Sequence, residues 1–133
     1  MNIDKNSLAR IGIGLVILHV VIAFVHGTAH ISLYISMSTL QNVYIFVVIF
    51  GAPILAAAFL RRNPRVGFGL LAVSMLGSFL FGVYHHFIAI GSDNVFTMDE
   101  RPWTTTFQLS AVLLAILEFA GTAVGLLGFV PKD

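Results

Sequence analysis

Apolar residues fill four long stretches of this chain, at roughly residues 8–37, 42–60, 66–90 and 104–130, and three short polar breaks part them. A stretch of about 20 apolar residues is what a helix needs to cross hydrocarbon. The pattern therefore predicts four membrane helices. Ser36 to Asn42 (SMSTLQN) reads as a polar turn. Arg61 to Arg65 (RRNPR) reads as a charged turn, in which Pro64 discourages helix at Asn63. Gly91 to Trp103 reads as a polar, acidic, solvated loop, and Pro102 suits the start of the fourth span. The first span is longer than a bilayer requires, which predicts tilt or projection. The second is short and holds Gly51 and Pro53, where a kink is expected. Lys5 and Arg10 before an apolar run, with Gly27 and Ala29 after it, imitate a signal peptide. With the sequence starting at Met1, the segment is read as the first membrane helix.

Four apolar helices close on one another most simply as an antiparallel bundle. The expected fold is an all-α integral membrane protein, one four-transmembrane-helix domain over residues 1–133. Small residues indicate the faces that meet. These are Ser74, Ser78 and Gly82 on span 3, and Ala111, Ala115, Gly121 and Gly125 on span 4. At an offset of 55, Gly12, Gly14, Leu15, Phe24 and His30 match Gly67, Gly69, Leu70, Phe79 and His85. Such a repeat relates the two helical hairpins and sets His30 against His85 as equivalents.

Composition sharpens this picture. The chain is 58% hydrophobic and 10% charged, with a mean hydropathy of +0.96, against roughly 25% charged residues in a soluble domain. Its partner is the lipid bilayer, together with a larger membrane complex or a second copy of itself, and not nucleic acid. Lys5, Arg10, Arg61, Arg62, Arg65 and Lys132 fall on one side of the expected fold, and Arg101 on the other. Both termini are accordingly expected in the cytoplasm, with loops 36–42 and 91–103 on the non-cytoplasmic side. Trp103, Tyr34, Tyr44 and Tyr84 then form an aromatic belt near the outer boundary. The absence of cysteine excludes disulfides, thiolate metal sites and catalytic thiols.

The chemistry rests on five histidines and one acid, set in the most apolar parts of the chain. An ionisable side chain at membrane depth is a functional-site hypothesis by default. His19, His26 and His30 share one stripe of span 1, and His30 and His85 fall at one depth, roughly 8–11 Å below the outer boundary. His19 lies deeper, too far away to join the others. His85 lies on the stripe of Ser78 and Gly82 and is taken as the inward member of the His85–His86 pair. Glu118 lies near Gly121 and Gly125 on the packed face of span 4, where His19 or His26 can partner it. His26, His30, His85 and His86 are the candidate ligands. Glu118, Gln108 and His19 are candidate supporting or proton-carrying groups, with Gln108 orienting a ligand from behind.

Imidazoles in this number suit a transition metal (copper, iron or zinc) or an axially ligated haem b, with His30 and His85 or His86 on its two faces. A di-iron carboxylate centre needs several glutamates, and here Glu118 stands alone. There is no nucleophile motif and no phosphate loop. The leading expectation is a metal or haem site in the outer half of the bilayer, serving redox chemistry, metal handling or cofactor assembly. The alternatives are an accessory subunit of a larger membrane complex, and a proton or solute pathway through Glu118 and the span 1 histidines.

Overall fold

A computed structural model describes residues 4–130, so Lys132 lies outside the described residues. Among these the chain is all helix and turn, with no strand. Four helices are long and apolar enough to cross a membrane: α1 (Lys5–Ser32), α2 (Thr39–Arg62), α3 (Pro64–Ile88) and α4 (Thr104–Phe129). Large apolar side chains such as Phe24, Ile31, Val73 and Phe119 face outward. This inverts the habit of water-soluble domains and is expected of a multi-pass membrane protein.

Local chemistry sets the helix ends. Asp4 caps α1, its Oδ1 accepting from the amides of Asn6 and Ser7 at 2.8 and 2.9 Å and its Oδ2 from the Ser7 hydroxyl at 2.7 Å. Those bonds from Ser7 hold the exposed Asp4 carboxyl below the usual carboxylate range. The chain leaves α1 through Tyr34, in the left-handed region at φ 56°. α2 then begins at Thr39, inside the stretch read as a polar turn. Ser38 and Gln41 form a reciprocal capping box there, with bonds of 2.7 and 3.2 Å. Ser-x-x-Gln is a helix-start signature, and it lengthens the second span by three residues at its start.

Two stretches wind as π-helix, Ile45–Gly51 in α2 and Tyr84–Ile88 at the end of α3. In the first, the Ala52 amide reaches back to Val47 O. Pro53 follows directly, with no N–H to donate and a ring that crowds the carbonyl four residues back. The wide turn sits where a kink was expected.

Helix α4 packs along α3 and α1, and α2 packs on α3. Phe68 meets Gly128, Ala72 meets Gly125, and Met75 meets Gly121. Two glycines are obligatory for this approach. A Cβ on Gly125 would fall 2.5 Å from the Ala72 amide nitrogen, and one on Gly67 would collide with the Leu60 backbone across the Asn63–Pro64 turn. Around these contacts Leu8, Val16, Ala56, Leu60, Phe68, Leu71 and Met75 form one core cluster. Ala29, Leu33, Val95, Phe107 and Ala111 form a second at the opposite end. Of the glycines paired by the offset of 55, Gly12 and Gly67 both lie against Leu60, whereas Gly14 has open space beside it and Gly69 lies against Phe129.

The loop of residues 89–103 is strapped to the second cluster. Val95 N–H donates to His86 O at 2.9 Å, and Gln108 Nε2 donates to Val95 O at 2.8 Å. Asn94 is buried, its side chain donating to Ala89 O at 2.8 Å and accepting from the Phe96 amide at 2.9 Å. Asp99, Glu100 and Arg101 are exposed, as a solvated loop predicts, while Asn94 and Val95 are buried and cover the second cluster.

Candidate metal centre

The structure brings His26, His30 and His86 together. One ligand nitrogen from each lies within 4.8 Å of the others, and all three side chains are buried. His26 and His30 stand one turn apart on α1, so a single face presents both. His86 comes from the π-helical end of α3. In a regular helix His85 would lie on the stripe of Ser78 and Gly82. The wide turn advances by a smaller angle per residue, which carries His86 back onto that stripe and His85 past it. His85 therefore stands outside the cluster, half-buried, with its ring 4.4 Å from Phe81 and 5.1 Å from Tyr84. The expected inward member of the pair was the wrong one, and the π turn is the reason.

Groups behind two of the rings orient them. Ser110 Oγ lies 2.8 Å from His26 Nδ1, and 2.7 and 3.0 Å from Thr106 O and Phe107 O. Its one proton goes either to a carbonyl, leaving Oγ to accept from Nδ1–H, or to Nδ1 itself. A carbonyl can only accept, so His86 Nδ1–H donates to Asp93 O at 3.1 Å. The lone pair of His86 is thereby left on Nε2, 3.2 Å from His26 Nε2. A proton on His26 Nε2, or a cation held between the two nitrogens, satisfies that contact. Imidazole nitrogens bound at 2.0–2.1 Å to one tetrahedral ion sit about 3.3 Å apart. Phe107, fully buried, packs its ring against all three imidazoles at 4.5–5.2 Å. It gives the site a dry wall.

A bis-histidine haem fits this arrangement poorly. Its macrocycle needs clear space between two opposed rings. The His30 and His86 centroids are 5.6 Å apart, but His26 lies 4.9 and 4.8 Å from them and fills that space. His85 is turned away, and its equivalence to His30 under the offset of 55 does not bring the two together.

The other candidate groups lie apart from the triad. His19 Nε2 is 3.1 Å from Glu118 Oε1, both side chains are buried, and His19 Nδ1 has no hydrogen-bond partner among the described residues. Of the two expected partners for Glu118, His19 is the one that reaches it. Gln108 contacts the loop at Val95 O and orients no imidazole. Ser110 holds His26 instead, as Asp93 O holds His86. Neither was singled out from the sequence. Ser110 adjoins the small-residue stripe of α4, and a backbone carbonyl carries no sequence signal at all.

No family model matches this chain, and neither does any curated protein or solved structure. The geometry of the site is therefore the whole basis for its function.

Proposed function

We propose that this chain is an antiparallel four-span membrane protein that holds one transition-metal ion on His26, His30 and His86. By the distribution of Lys and Arg the site lies in the outer half of the bilayer, beneath loop 91–103, with both termini cytoplasmic. One observation carries the reading. Three buried imidazoles converge with their nitrogens within 4.8 Å of one another, and His26 Nε2 and His86 Nε2 stand 3.2 Å apart, the separation of two ligands on one ion. Partners behind the ligand rings are a regular feature of metal-binding histidines. His30 offers a third nitrogen within 4.8 Å of the others, and binding of one ion requires its ring to close that gap. With imidazole as the only donor type, zinc, copper and iron are the candidates. The service is metal handling, cofactor assembly or electron transfer.

The experiment is elemental analysis of detergent-purified protein, with an absorption spectrum of the same sample. The expected result is one ion per chain, lost in His26→Ala and His86→Ala and kept in His85→Ala. Protein that is metal-free as purified and refuses zinc, copper and iron on reconstitution would overturn the assignment.

A second reading uses a proton as the cation. His86 Nδ1 also lies 4.0 Å from Asp93 Oδ2, so titratable groups run from the loop through His86 and His26, with the Glu118–His19 pair beyond. Proton flux into vesicles that is lost in Glu118→Gln supports this path, and flux equal to that of protein-free vesicles removes it.

A further inference from the structure

A cavity of about 540 Å³ runs beside the triad, bounded by all four helices. Its size falls within the roughly 300–1,000 Å³ of small-molecule sites. Apolar side chains supply most of the wall, among them Ile45, Ile49 and Phe50 of the wide turn in α2, Phe81 of α3 and Leu114 of α4. Phe24 and Ile31 of α1 and Phe46 of α2 also line it and are 73, 78 and 71% exposed. The cavity therefore opens sideways, between α1 and α2, on a face covered by hydrocarbon in a membrane.

Polar groups stand along its inner wall. His30 is buried, borders the cavity, and takes no hydrogen bond to its ring among the described residues; its Nδ1 is wholly enclosed. Glu118 borders the same space, with Oε1 engaged by His19. A Cβ on Gly82 would lie 3.7 Å from Glu118 Oε2 and 4.0 Å from the His86 ring. The bare glycine thus leaves clear the strip between carboxyl and triad. An acyl chain in this cavity would set hydrocarbon against the Glu118 carboxyl and the imidazole edges that border it. An anionic head would be set against Glu118 in a medium that screens little.

We infer that the cavity binds a lipid-soluble quinone or quinol. Its ring lies along the inner wall, one oxygen toward Glu118 and another toward the imidazoles, and its tail leaves between α1 and α2. A quinol hydroxyl donates to the Glu118 carboxylate, and a quinone carbonyl accepts from its protonated form; the opposite oxygen faces the imidazoles, and the route in is through the bilayer. The inference goes beyond the metal site and does not require the ion.

The test uses the full chain in phospholipid nanodiscs, titrated calorimetrically with decylubiquinone against empty nanodiscs. The expected result is saturable binding of one quinone per chain. Ile49→Trp, which fills the cavity from a half-buried position, weakens it at least about tenfold. Val73→Trp, on the outward face of α3, leaves it unchanged. Metal content measured on the same samples separates the two readings: Ile49→Trp keeps the ion while losing the quinone. Quinone binding by a metal-free chain would sink the metal assignment alone. Absence of saturable binding, equal binding by Ile49→Trp, or a copurified phospholipid that decylubiquinone does not displace would each overturn the quinone site.

Discussion

The two ends of this bundle are built from equally apolar helices and pack in opposite ways. At the end holding Leu60 and Phe68, glycines let backbones touch, and a Cβ at Gly125 or Gly67 has nowhere to go. At the end holding the triad, wide turns in α2 and α3 border a cavity, and three imidazoles with a serine and a loop carbonyl occupy the interior. Lipid supplies no hydrophobic force between helices, so close packing is what holds them. The difference teaches a division of labour. Contact at the glycine end anchors the helices, and the other end is left free to keep polar groups and open space.

The sharpest break of that comparison is Gly125→Leu. Its side chain must displace the Ala72 backbone, which overpacking prices at about 3 kcal/mol. The expected outcome is loss of folded protein by size-exclusion chromatography and melting in detergent, and a normal melting curve would refute the anchoring role. His26→Ala attacks the opposite end. It should empty the metal site while leaving the helical circular dichroism intact, which a collapse of both together would contradict. Ser110→Ala removes only the group behind His26. Loss of such a partner typically weakens metal affinity by about 10–100-fold, measured by chelator competition, and an unchanged affinity would separate Ser110 from the site.

Two smaller effects refine the picture. Tyr44 O–H donates to Gly77 O at 3.1 Å, between α2 and α3. Tyr44→Phe should lower stability by about 1 kcal/mol without touching metal content, and a loss of metal would tie the two ends together. Smallest is the cap at Asp4. Hydrogen bonds from Ser7 lower its carboxyl, so the cap is fully present at neutral pH and is lost as pH falls through that lowered value. The protection of the Asn6 and Ser7 amides, with exchange rates corrected for the intrinsic pH dependence, should fall in acid, and Asp4→Asn should flatten that dependence.

Much of the fold could be read from hydropathy alone. Spans of 20 or more apolar residues, a Pro at the α2–α3 turn and glycines on α4 leave few ways to arrange four helices. The start of α2 was legible too, in Ser38 and Gln41, but was masked by the polar look of the segment. The site was legible in its residue types and less so in its geometry. His26 and His30 share a face at any regular winding, whereas the choice between His85 and His86, which flank the Ser78–Gly82 stripe on a regular helix, turns on the wide winding of Tyr84–Ile88. No side-chain pattern encodes that turn, and counting 100° per residue across it selects the wrong histidine. The cover over the triad was hidden for a related reason: Val95 and Asp93 act through backbone groups.

His85 and His86 are adjacent, identical letters separated by one peptide bond, yet the wide turn gives them unrelated surroundings. One is fixed in a dry interior by a carbonyl, and the other rests among Phe81 and Tyr84. In this helix a change of winding acts as a change of spelling. One residue added before that turn would set His85 in the interior place and His86 in that of Phe87, and one removed would bring Phe87 there instead.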